Sequence, residues 1–149
     1  MSEEFAGERS DLDAWLLLQQ TRSQISRSED RVVGKSGITT EQYTVLLAME
    51  CLHEPVRISD IAQRLIRSTN SISMIVDRMV KAGLVDRVRD SRDRREVRVV
   101  MTTEGEQAFK RANPAVTQLI TDIWSSLPRD DRRTLVRLLE TLRDKAPLY

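Results

Sequence analysis

The sequence predicts a mainly α-helical chain with one small β-hairpin and long helices at both ends. Two observations carry this. Apolar residues recur at helical spacing along most of the 149 residues. The period changes only between Leu84 and Met101, where valine-rich runs flank a wholly polar turn. The length fits one domain, or one domain plus an oligomerisation element, and needs no metal or disulfide framework. With 40% hydrophobic and 32% charged residues, the chain is too apolar for disorder and too charged for a membrane protein.

The first helix is marked by Leu12, Trp15 and Leu16 and reaches Ile25, with Gly34 and Gly37 as its stop. Thr39 and Gln42 form a capping box for a second helix whose apolar positions are Tyr43, Leu46, Leu47 and Cys51; Pro55 ends that segment. Ser59 is a good N-cap for a short third helix with Ile61, Ala62 and Leu65 inward. After a polar break at Arg67 and Ser68, a fourth helix spans Thr69 to Lys81. Its expected buried stripe is Ile72, Ile75, Val76, Met79 and Val80, and Ala82-Gly83 supplies the stop. Leu84, Val85 and Val88, then Val97, Val99 and Met101, read as two strands. Between them, residues 90–96 contain no apolar side chain and form an exposed loop.

Thr103 with Glu106 reads as a second capping box, opening a long helix through Phe109, Val116, Ile120 and Trp124, with Pro114 inside it and a kink expected near Asn113. Pro128 suits the first turn of a final helix carrying Leu135, Val136, Leu138, Leu139 and Leu142. The terminal helices are too apolar on one face to stand alone in water. They must pack on the core, on each other or on a second chain.

The formal net charge of +1 hides an asymmetry. From Arg57 to Arg98 there are eleven Lys or Arg against six acids, a net of +5, which leaves −4 for the rest. A basic centre in a neutral frame fits a polyanion-binding module, although a solvated charged face explains the counts equally well. The motif decides between them. Two short helices joined by a tight turn and followed by a charged hairpin make a winged helix-turn-helix. The fourth helix offers Asn70, Ser71, Ser73, Met74, Asp77 and Arg78 opposite its apolar face, and such short polar side chains let a helix sit deep in a major groove. Six of the twelve residues from Arg87 to Arg98 are arginine. A loop holding Arg92, Arg94 and Arg95 suffers charge repulsion unless a polyanion meets it, and arginine fits a narrow A·T-rich minor groove. Asp90 and Asp93 are expected to shape the turn and pair with neighbouring arginines.

From Thr39 to Glu106 the chain resembles the MarR family of prokaryotic transcriptional regulators. The pieces that carry the resemblance are "TTEQYTVLLAM", "ISDIAQRL", "SISMIVDRMVKAGLVDR", "DSRDRREVRV" and "TTEG". The flanking helices match the family layout as well. The resemblance implies a helical dimerisation region over 1–36 and 104–149 around a winged helix-turn-helix domain over 38–103. It further implies a homodimer on a pseudo-palindromic double-stranded DNA operator, acting as a repressor and released by a small aromatic or phenolic effector. Carried over by residue, Ser68, Thr69, Asn70, Ser71, Ser73, Met74 and Arg78 belong to the recognition helix, and Arg92, Arg94 and Arg95 to the wing. Arg94 matches the minor-groove arginine, while Asp77 and Arg87, with Asp90 and Asp93, support the wing. Three positions depart from the pattern: Ile66 replaces a turn glycine, Ser73 replaces Thr or Arg, and Met101 replaces Leu.

The lone cysteine, Cys51, excludes an internal disulfide and points to a reducing, cytoplasmic setting. It is a candidate for oxidation sensing, but its place on the apolar stripe of the second helix favours an inert buried thiol. Glu50, Cys51, His53 and Glu54 point to different helix faces and make a poor metal set, so no metal and no cofactor are expected. No apolar run is long enough for a membrane span, and the three glutamates before Ser10 do not fit a secretory leader. No Gly-rich phosphate loop or nucleophile–base pair is present, which argues against an enzyme. A winged-helix module that binds protein is the competing reading, and the arginine-rich hairpin weighs against it.

Overall fold

The structure, a computed structural model, describes residues 2–146, with side chains from residue 10 onward. The glutamates expected to argue against a leader, and the last three positions of the expected 104–149 region, lie outside those limits. The elements are α1 (Ser2–Gly34), α2 (Thr40–Leu52), β1 (Val56–Arg57), α3 (Ile58–Leu65), α4 (Thr69–Lys81), β2 (Val85–Arg89), β3 (Val97–Met101), α5 (Thr103–Ser125) and α6 (Arg129–Lys145). The three strands form an antiparallel sheet in the order β1-β3-β2. Val56 faces Val99 and Arg57 faces Arg98 on one side of β3, while Val85 faces Met101 on the other.

Hydrophobic burial concentrates in one core between α2, α3, α4, the sheet and the first half of α5, reached by Val33 at the end of α1. Leu46, Met49, Ile61, Ile72, Met79 and Val99 are fully buried in it. Tyr43 stacks on Phe109 with ring centroids 5.7 Å apart. Its hydroxyl donates to Asn113 Oδ1 at 2.9 Å, so the one polar atom of the ring leaves the core satisfied. Burial, then the Glu29 carboxylate, raises the Tyr43 hydroxyl above the ordinary phenol value.

α2 starts where the capping box expects, with Thr39 Oγ1 accepting the Gln42 N–H at 3.1 Å and Gln42 returning the bond at 3.0 Å. Its inward residues differ from the expected stripe. α1, α3, α4 and α5 all pack against this helix, so Val45, Ala48 and Met49 are buried beside Tyr43 and Leu46. Leu47 is half-buried against the core as expected, whereas Cys51 is exposed rather than buried.

Three helix starts are shifted. α3 begins at Ile58, with Arg57 as an N-cap that makes no side-chain bond, because β1 pairs with β3 up to Arg57. Ser59 therefore lies inside the helix. α5 is capped by Thr102 rather than Thr103; its Oγ1 accepts the Gly105 N–H at 3.0 Å and donates to the Gly83 carbonyl at 2.6 Å. Glu106 takes no part in that cap. Gly105 is needed where it stands, since a Cβ there would overlap the Leu84 carbonyl oxygen. α5 runs unbroken through Pro114, and Pro128 is the N-cap of α6 rather than its first turn.

The turn between α3 and α4 closes on Ile66 in the left-handed region, φ 52° and ψ 52°, with the Arg67 N–H bonding the Ala62 carbonyl at 2.9 Å. A β-branched residue is strained there, by about 1–2 kcal/mol. Its side chain is 53% exposed, so little packing offsets that cost. Ile66→Asn is therefore expected to raise stability by about 1 kcal/mol, or about 2–4 °C in Tm at matched protein concentration. A lower Tm would mean that Ile66 packing outweighs the backbone strain.

Outside the core the helices are bare. Leu12, Trp15, Leu16 and Leu17 of α1, and Ile120 of α5, are largely exposed. No residue of α6 is buried, although Val136, Leu138, Leu139 and Leu142 line it.

Candidate nucleic-acid interface

α4 opens at Ser68, whose Oγ accepts the Ser71 N–H at 3.1 Å. Ile72, Ile75, Val76 and Met79 are its buried stripe. Val80 is 36% exposed, contrary to expectation. At about 100° per residue it falls about 80° from Ile72, at the edge of the stripe. The same rotation sets Asn70, Met74, Asp77 and Lys81 on the ridge opposite the core, and all four are exposed. Thr69 is exposed in the first turn, Ser71 and Ser73 are half-buried on the shoulders, and Arg78 is exposed on one flank. The Ser71 hydroxyl is engaged within the chain, since Arg67 Nη2 donates to it at 3.0 Å. Arg67 also reaches Glu41 at 3.5 Å.

The hairpin loop is shaped by its two aspartates. Asp90 Oδ1 accepts the Arg92 N–H at 2.8 Å, and Asp93 Oδ1 accepts the Arg95 N–H at 2.9 Å. Below the loop lies an ion network in which Asp90 pairs with an arginine as expected, whereas Asp93 makes no ion pair among the described residues. Arg98 donates from Nε to Asp90 at 2.7 Å, from Nη2 to Glu96 at 3.2 Å, and from Nη1 to the Pro55 carbonyl at 3.3 Å. The other Glu96 oxygen takes Arg57 Nε at 2.6 Å. Glu96 and Arg98 are two apart along the chain, which hints at a shared face. Arg57 joins them only through the β1–β3 register. Asp77 of α4 pairs with Arg87 of β2, tying the helix to the hairpin.

This division of labour leaves Arg89, Arg92, Arg94 and Arg95 exposed, with no ion pair among the described residues. Four uncompensated guanidiniums therefore project from the hairpin next to the outward ridge of α4. Such an arrangement attracts a polyanion.

The bond from the Arg92 amide, helped by the Arg98 guanidinium, holds the Asp90 carboxyl below the ordinary aspartate value. The sign follows from linkage. With the folded value depressed, the stabilisation is complete above the ordinary aspartate value, about 3.9, and is lost as pH falls through the depressed value. An NMR titration of the Arg92 amide is expected to show its midpoint below that of a free aspartate. In Asp90→Asn that step should vanish. A midpoint at the ordinary value would show that the loop is not held by this bond.

A cleft of about 260 Å³ lies between α1, α2 and α4. Arg22, Asp30 and Arg67 are among its polar lining residues, over Ile72 and Ile75. Among the described residues no cluster of His, Cys, Asp and Glu could hold a metal ion, and no helix is long and apolar enough to cross a membrane.

A helix pair whose second member exposes a polar ridge, with a three-stranded sheet and an arginine-tipped hairpin behind it, defines a winged helix-turn-helix DNA-binding protein. The MarR family model matches residues 36–96. The HTH-type transcriptional regulator PapX of Escherichia coli is 31% identical over 121 residues, covering 78% of this chain and 73% of PapX. The chain belongs to the MarR family of transcriptional regulators. Two solved structures share its fold. A mutant of E. coli MarR bound to operator DNA superposes with a TM-score of 0.78 at 22% identity, covering 89% of this chain and 95% of the other. An organohalide-sensing regulator with 2,4-dichlorophenol bound gives 0.80 at 24%, covering 90% and 79%.

Proposed function

We propose that this regulator is a homodimeric repressor that reads a pseudo-palindromic operator and is released from it by a small aromatic or phenolic ligand. The observation that carries the DNA-reading part is the outward ridge of α4 beside four arginines that make no ion pair among the described residues. Each protomer places residues Ser68 to Arg78 in a major groove, while Arg94 reaches the adjacent minor groove, flanked by Arg92 and Arg95. The two aspartates of the loop and the Asp77–Arg87 pair hold that geometry. A two-fold dimer on one face of B-DNA then sets half-sites about 10–10.5 base pairs apart.

Dimerisation through 1–36 and 104–149 is supported by the apolar faces of α1, α5 and α6, which are left exposed among the described residues. An effector in the cleft beside Arg67 would act where the α3–α4 turn is anchored, favouring a spacing of the two heads that no longer matches the operator. The dichlorophenol bound to a relative of the same fold supports a phenolic ligand.

The test is selection of binding sites from random duplex DNA, then titration of the winning duplex across salt. The expected result is an inverted repeat with half-sites one turn apart and a steep loss of affinity with salt. No enrichment and no salt-sensitive binding would favour the protein-binding module instead. Oxidation through Cys51 would need a sulfenic acid or a bond to another chain, because the sequence has no second cysteine.

A further inference from the structure

We infer that Asn70 and Met74 read an adenine edge and a thymine methyl group in each half-site, so that A·T pairs are specified at two nearby positions. This rests on the DNA-reading assignment above and names the base chemistry of that same surface.

The ridge of α4 narrows the choice of base-reading side chains. Asp77 is occupied by Arg87, and the Ser71 hydroxyl by Arg67. Ser73 is half-buried on a shoulder, and Lys81 stands at the C-terminal end, whereas base contacts come from the N-terminal part of a recognition helix. On the ridge itself this leaves Asn70 and Met74, one turn apart and both pointing straight out, with Thr69 and Arg78 exposed to its sides.

Met74 is 55% exposed in the middle of an otherwise polar face. It has no apolar neighbour on that ridge. In the major groove the apolar group that B-DNA presents is the C5 methyl of thymine, and an unbranched thioether can reach along the groove to meet it. Asn70 is exposed, and its amide makes no hydrogen bond among the described residues. A carboxamide carries one donor and one acceptor in the spacing that matches adenine N7 and N6. Guanine would call for Arg or Lys, and the N-terminal half of this ridge has neither. Four residues advance the helix by about 6 Å, or about two base-pair steps, so the two contacts fall on nearby pairs of one half-site.

The experiment uses the full-length chain and the duplex recovered from the random pool. Each thymine is replaced singly by deoxyuridine, which removes only the methyl group, and each adenine by 7-deazaadenine, which removes only N7. Wild type should lose about fourfold in affinity at one thymine per half-site, the effect of one buried methyl-sized group. It should lose about tenfold at one adenine within about two base pairs of it, as expected for a bidentate contact. In Met74→Ala the uridine effect should disappear while the deazaadenine effect persists; Asn70→Ala should show the reverse. Both side chains are exposed, so both variants should keep wild-type helicity, and Met74→Gln provides a second variant of near-equal length. A duplex that binds tightly but tolerates every uridine overturns the inference and leaves the DNA-reading assignment standing. A uridine effect that survives in Met74→Ala also overturns it. Failure to enrich any duplex overturns both.

Discussion

Replacing Leu139 and Leu142 together by aspartate should convert the protein to folded monomers and lower operator affinity by at least about a hundredfold. Both leucines are exposed, on a helix that buries nothing within its own chain. Along α6, Leu135, Leu138, Leu139 and Leu142 recur at i, i+3, i+4 and i+7, opposite a face rich in Arg, Asp and Glu. If this stripe meets a second copy across a two-fold axis, two substitutions remove four leucines from the interface. At about 1.5–3 kcal/mol each, the loss is about 6–12 kcal/mol, enough to dissociate a dimer at micromolar concentration. The core formed by α2, α3, α4 and the sheet is untouched, so circular dichroism should change little. DNA affinity falls because a monomer holds one half-site without the effective concentration that linkage provides, worth about 10²–10⁴. Sedimentation analysis decides the matter. A variant that stays dimeric would move the interface to α1 and α5 alone.

The second large effect is expected at the hairpin tip. Arg94→Ala should weaken operator binding by about 1–3 kcal/mol, and removing Arg92 and Arg95 as well should reduce the slope of log affinity against log salt by about two to three. Thermal stability should hardly move, because none of the three makes an ion pair among the described residues. Arg98→Ala is the instructive contrast. That side chain is 23% exposed and joins Asp90, Glu96 and the Pro55 carbonyl, so its loss should disorder the loop and weaken binding indirectly. Hydrogen exchange of the Arg92 amide separates the two cases: protected in Arg94→Ala, unprotected in Arg98→Ala. Unchanged affinity in the triple variant would remove the wing from the interface.

Much of this arrangement was legible along the chain because it depends on near neighbours. The Thr39–Gln42 box, the stripe from Ile72 to Met79 and the arginine-rich loop between two valine-rich strands are all local patterns. The resemblance of residues 39–106 to one family was legible for the same reason. The ion network was legible only in part: an Asp90–arginine pair was expected, but not its extension through Glu96 to Arg57. Glu96 and Arg98 sit two apart, but Arg57 reaches Glu96 only because Val56–Arg57 adds a third strand to the sheet. Two residues are too short a run to show any period.

The same distinction explains the corrected details. Helix identity, helix order and the hairpin follow from hydrophobic period and capping chemistry, which act over three or four residues and are written directly in the order of side chains. Burial, helix starts and pairing do not. Cys51 is exposed because the faces of α2 are decided by the four helices packed around it. Thr102 caps α5 in place of Thr103 because its hydroxyl can also reach the Gly83 carbonyl. α3 starts at Ile58 because Arg57 is held by Arg98, 41 residues further along the chain. Such contacts join residues far apart in the chain, so their geometry is set by the packed chain as a whole.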